Sequence, residues 1–264
     1  MTNYLKSFNT TEGPRFDKHD FLMLNVAAAS AQLEVVRYLL DAQSSCVELH
    51  ARGRSGLTAI AAASCGAYGP FERLIPQGSS FNRNEATMNL LLDRGADASD
   101  SGGYSQHWLD SFRSELPISD TAITMAARWA GSELIQRLID GGAHVHAKVT
   151  HWTDKHIWKC SKPQVSGVTA VHTACQHANI NALKGLFDRR GTVDATDMVG
   201  CRDSLGGLPL LWVSRDPMHE DIGKVSVSEL RERVQQIINT REFLLEKDAT
   251  TINVQDNEEY TPLH

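Results

Sequence analysis

Small and apolar residues recur along the chain in one internal order. A short opener leads to a pair of alanine-like residues, and a Leu-Leu-type closure follows. Residues 57–63, 120–127, 168–175 and 208–213 share the opening half, as in Leu57-Thr58-Ala59-Ile60-Ala61-Ala62-Ala63. An earlier copy at 21–28 lacks the threonine, and Tyr260-Thr261-Pro262-Leu263-His264 supplies a last opener. The closing half reads Leu33 to Leu40, Leu91 to Ala98 and Leu138 to Ala147. Repetition of this kind predicts units of two short helices that cannot bury their apolar faces singly and so must stack. Small residues at Ala27, Ala28, Ala62, Ala126, Ala127 and Ala174 let first helices approach closely. Val35, Val36, Leu39 and Leu40, spaced by three and four, predict the buried stripe of a second helix. Gly95 and Gly142 suit left-handed helix ends. The opener threonines suit hydroxyl caps at helix starts.

These segments resemble the ankyrin repeat, whose hallmark is Thr-Pro-Leu-His followed by Ala. Thr261 to His264 matches that tetrapeptide letter for letter, and Leu91-Leu92-Asp93-Arg94-Gly95-Ala96-Asp97 looks like the family's closing half. The resemblance implies an all-α solenoid of about five helix–turn–helix repeats with β-hairpin fingers. Its units fall roughly at 21–52, 54–98, 118–149, 166–197 and 205–256, with a partial opener at 258–264. Residues 1–20 are polar and read as an N-terminal arm or cap. The last opener has no helix after it, which leaves a partly apolar end and points to a fragment of a longer array.

The spacing departs from the family's repeat of about 33 residues. Openers Thr58, Thr121, Thr169, Leu208 and Thr261 lie 63, 48, 39 and 53 residues apart. The excess falls in insertions at roughly 66–84, 99–119, 148–166 and 216–225, the first of them rich in Gly, Pro and Ser. Insertions between units should extend hairpins. Those within units should sit where two helices join. Ser226-Val227-Ser228-Glu229 reads as a capping box for a long helix reaching about Leu245.

In this family the binding residues fall at the two positions after the alanine pair and at the finger tips. Carried over position by position, that set is Arg128 and Trp129, Gln176 and His177, and Arg215 and Asp216. Trp129 beside Arg128 reads either as a partner anchor or as the cover of a seam between units. The insertion from His144 to Cys160 holds His144, His146, His151, His156 and Cys160, ligand types that zinc favours. Their spacing fits no tight zinc pattern, so a solvated finger is the expectation and no metal or cofactor is assigned. Trp108, Trp152 and Trp158 either wall a pocket between neighbouring fingers or pack those fingers together. His172 and Trp212 read as structural, and Cys65 and Cys175 as small apolar fillers.

Composition adds exclusions. A net charge of −6 without a Lys/Arg cluster argues against nucleic acid as a partner. No run approaches the ~20 apolar residues of a membrane span. Five scattered cysteines suit a reducing compartment, hence an intracellular place in cytoplasm or nucleus. No Gly-rich phosphate loop or nucleophile elbow is present. The expectation is a protein-interaction module, more binder than enzyme, whose partner is another protein or another domain of a longer chain. The alternative is a small-molecule binder or enzyme using a pocket of insertions, with His151, His156 and His177 as acid–base groups. Oligomeric state is not legible.

Overall fold

The opener threonines set the first helices as their chemistry dictates. In the computed structural model, Thr58 Oγ1 accepts from the Ala61 amide at 3.4 Å and Thr121 Oγ1 from that of Thr124 at 3.2 Å. Each starts a short, almost wholly buried helix. At Thr169 a reciprocal cap forms, with the Thr169 amide donating to His172 Nδ1 at 3.2 Å. Leu208 has no hydroxyl, and Pro209 fills the first helical position instead, where a missing amide costs nothing.

The structure describes residues 22–42, 47–53, 56–65, 80–103, 119–152, 164–188, 195–214 and 226–263. Helices α1 (Met23–Ala29) and α2 (Leu33–Ala42) are followed by α3 (Ala59–Ser64) and α4 (Ser80–Asp93). Strands β1 (Ser101–Gly103) and β2 (Ser119–Thr121) lead into α5 (Ala122–Ala126) and α6 (Ser132–Asp140). Strands β3 (Val149–Trp152) and β4 (Gln164–Val168) lead into α7 (Ala170–Gln176) and α8 (Ile180–Phe187). Then come α9 (Ala195–Val199), α10 (Pro209–Trp212), α11 (Val227–Lys247) and a 3₁₀ turn at Ala249–Asn253.

Among the described residues there are two separate antiparallel pairs, β1 with β2 and β3 with β4. Gly102 faces Asp120 in the first and His151 faces Val165 in the second. These findings overturn the all-α solenoid. The described residues make a mainly helical chain with two small open sheets and no clear solenoid. The physical reason lies in the insertions. The arms that flank 104–118 and 153–163 pair their backbone groups with one another, which turns irregular connections into strands. Helix lengths also vary too widely for one regular unit, from four residues in α10 to 21 in α11.

Among the described residues, a large apolar core runs through the packed helices, with a smaller cluster of Ala29, Leu57, Ala61, Ala62, Cys65 and Met125 beside it. Helix α3 touches α1 and α5, α5 touches α7, and α7 touches α10. Ala28, Ala63, Ala126, Ala127 and Ala174 are buried at these contacts. Helix α8 lies against α6 and α11. In α2, Val36 and Leu39 are buried but Val35 is exposed. Gly95 and Gly142 adopt φ of 87° and 100°, a backbone that favours glycine.

Adjacent turns are tied by side chains. Thr58 Oγ1 donates to Asp100 Oδ2 at 2.5 Å, and Arg52 pairs with the same carboxylate. Farther on, Arg202 donates to Gly206 O at 2.6 Å and Gln255 O at 3.0 Å.

Candidate functional site

The polar residues that meet are not all those the sequence singles out. Asp120 lies in β2, nearly fully buried, directly before the cap of α5. Its Oδ1 accepts from the Thr121 amide at 3.0 Å. Its Oδ2 accepts from Arg128, just past the end of α5, at 3.2 Å. His151 of β3 places Nε2 3.5 Å from the same oxygen. The pleat of the β3–β4 pair and the packing of β2 on β3 bring it there. Strand pairing and a helix end thus converge on one carboxylate.

His177 closes α7, with Gln176 as that helix's last residue, and both are half-buried. Arg233, from α11, donates to the His177 carbonyl at 2.6 Å. Asn179 Nδ2 donates to Ala127 O at 3.2 Å and Ala130 O at 3.0 Å, which locks the end of α5 to the turn after α7. Burial pushes the His177 imidazole well below its ordinary range, and the positive Arg128 and Arg233 and the nearby His151 push the same way.

That depression gives a pH signature. The unfolded chain takes up a proton on this imidazole near pH ~6.5, before the folded chain does. Stability from His177 is therefore present above that pH and is lost as pH falls below it. We expect His177→Gln to flatten the fall between about pH 7.5 and about pH 5.5 in urea-unfolding measurements. A profile as steep as that of the intact chain would contradict a neutral, desolvated His177.

Behind the cluster the chain is structural. The His151 ring lies 6.1 Å from that of Trp212, and His172 meets Trp212 edge-on at 5.3 Å. His172 Nδ1 accepts from the Thr169 amide, so Nε2 carries the proton and faces Gly207 O at 3.4 Å. Trp212 is fully buried, and its indole N–H donates to Asp203 Oδ2 at 2.7 Å. Cys175 is also fully buried, and burial pushes its thiol well up.

Of the expected site residues, the structure brings Arg128, His151, Gln176 and His177 to the α5 and α7 ends. Trp129 is half-buried and its indole N–H donates to Ser64 O at 2.9 Å, so its polar edge is engaged across the α3–α5 seam. Trp108, His156, Trp158, Cys160, Arg215 and Asp216 lie outside the described residues, as does the side chain of Trp152. His144 and His146 are exposed. Sequence reasoning missed Asp120, although a carboxylate one residue before an opener threonine was a usable signal. It also missed Arg233, whose bond spans 56 residues and leaves no local trace.

No family model matches the sequence, and neither does any curated protein. Among solved structures, similarity is found to a chain in the structure of a predatory endopeptidase from Bdellovibrio bacteriovorus in complex with an immunity protein. The match has a TM-score of 0.54 at 17% identity and covers 92% of this chain and 90% of that chain. At that identity the likeness is one of fold. Among the described residues, no helix is long and apolar enough to cross a membrane.

Proposed function

We propose that this chain is a protein-binding module that docks a partner on the face carrying Arg128, Gln176 and His177. The partner is another protein or another domain of a longer polypeptide. The observation that carries this reading is the polar cluster at the α5 end, where Asp120 fixes Arg128, with His177 beside it at the end of α7 and Gln176 the last residue of that helix. Arg128 is held by Asp120 while its side chain keeps 19% of its surface open. An arginine already fixed in its bound geometry loses little rotamer freedom on docking, and such residues dominate interface energetics. We place this activity inside the cell, in cytoplasm or nucleus, on the odd number and scatter of the cysteines. Resemblance of the repeated segments to ankyrin repeats supports the same reading.

Affinity capture tests it. A partner held by the intact chain should bind Arg128→Ala/Gln176→Ala at least about tenfold more weakly, which is about 1.4 kcal/mol. The control is Arg37→Ala, on the exposed side of α2. Equal loss in both variants, or no loss in either, would rule out this face.

A further inference from the structure

One side of α11 carries an apolar stripe that the described elements leave open. Val227, Leu230, Val234 and Ile238 are between 40% and 70% exposed. The stripe runs on through Arg241 and the half-buried Leu245. Its steps are three, four, four, three and four residues, so each position recurs after eleven. Eleven residues make almost three whole turns, which keeps the stripe on one side of the helix. A different side faces the body, where Arg233 reaches the His177 carbonyl and Phe243 meets Phe187 edge-on at 5.6 Å. Ser214 Oγ accepts from Arg241 and donates to Pro262 O, so the exposed Tyr260 and Leu263 border the stripe. Six of the nine large apolar side chains exposed among the described residues therefore gather here. Such a concentration marks an interaction surface.

The stripe fits its own image. Two copies of α11 laid antiparallel about Gln236 set Val234 against Ile238 and Val227 against Leu245 of the other copy. The long stem of Arg241 then covers Leu230 of that copy. Charge sets the same register. Arg231 and Glu242 are both exposed and lie along one flank of the stripe. Eleven residues, roughly 16 Å of helix, separate them, so they cannot meet within one chain. In the antiparallel register Arg231 of each copy faces Glu242 of the other, a reciprocal match of the kind a two-fold axis requires. We propose that α11 pairs with α11 of a second copy of this chain, antiparallel, in a symmetric dimer. Among residues 227–238 whose exposure is described, Arg233 and Ile237 are half-buried and the others are exposed. The dimer lays this first half of the helix along the second half of its counterpart. No residue of the Arg128 face takes part, so either reading can fail alone.

Sedimentation velocity on the intact chain tests the pairing. The chain should run at twice the 29.1 kDa of one copy above roughly 10 μM and as a single copy well below it. Val234→Gln/Ile238→Gln should weaken association at least about tenfold. Both positions are exposed, so circular dichroism of the dilute variant should match that of the intact chain. Arg231→Glu and Glu242→Arg should each weaken self-association about tenfold, because each sets like charges opposite one another twice. An equimolar mixture of those two variants should dimerise again, since one chain then offers two acids and the other two arginines. The mixture separates this register from apolar association of any other kind. A chain that stays monomeric at about 100 μM, or a dimer indifferent to Val234→Gln/Ile238→Gln, would overturn the proposal. So would a mixture no more dimeric than its components, which would place the copies in another register. Protection of the stripe only when a different protein is captured would assign the surface to that protein instead.

Discussion

Asp203→Ala should lower the stability of the chain by about 3–5 kcal/mol, the largest effect expected of any single change considered. The Asp203 carboxylate is 6% exposed. Its Oδ1 accepts from the Leu205 and Gly207 amides at 2.7 and 2.9 Å, and its Oδ2 from Trp212 Nε1 at 2.7 Å. Removing it leaves a buried indole N–H and two turn amides without that acceptor. Hydrogen bonds to a charged group are worth about 1.5–3 kcal/mol each and do not simply add. The damage should spread, because Trp212 packs on His172 and the 203–207 turn holds the Gly207 carbonyl opposite His172 Nε2. Asp203→Asn keeps the shape but turns an amide NH₂ toward one of the donors, so it should fall between the two. Urea unfolding measures both, and a loss below about 1 kcal/mol for Asp203→Ala would show that water or a shifted neighbour replaces the carboxylate.

Gly185→Ala should cost about 2 kcal/mol, although alanine is the better helix former by about 1 kcal/mol. Gly185 lies in α8 where it crosses α6. A Cβ there would sit 2.8 Å from Ser132 O, 2.9 Å from Ile135 Cβ and 3.0 Å from Ser132 Cα. Two of those three atoms are backbone, so no rotamer change relieves the contact and the helices must move apart. Core overpacking of this kind costs about 1–3 kcal/mol. For a chain of this size the expected drop in melting temperature is roughly 4–8 °C. An unchanged or raised melting temperature would mean that the α6–α8 contact has slack.

The pattern of small residues predicted this packing only in part. Ala62, Ala126 and Ala127 read as close-approach sites, and they are buried where first helices meet. Gly95 and Gly142 were equally legible, because positive φ is a local demand that the residue type answers. Gly185 was not, since one glycine inside an apolar helix announces nothing until its neighbour across 50-odd residues of chain is known. The sheets were half visible. The insertions marked where hairpins would grow, but the sequence of 101–103 and 119–121 lacks the β-branched alternation that signals a strand. Their pairing shows only in the backbone register, Ser101 with Thr121 to Gly103 with Ser119.

The candidate site divides the same way. Arg128, Gln176 and His177 followed from their place after the alanine pairs. The carboxylate that fixes Arg128 and the arginine that holds the His177 carbonyl come from β2 and from α11. Those contacts depend on tertiary placement. Arg128 stays in reach of a partner, whereas the indole edge of Trp129 is turned to Ser64. Two adjacent residues that read as one hot spot therefore do different work, and the helix-end turn between them is what separates them.

The most direct test of the docking face is amide hydrogen exchange on the intact chain, free and with a captured partner bound. The account predicts new protection at the ends of α5 and α7, around residues 127–131 and 176–180, with little change along α2. Protection confined instead to the exposed apolar side of α11, at Val227, Leu230, Val234 and Ile238, would contradict it and move the interface to that helix.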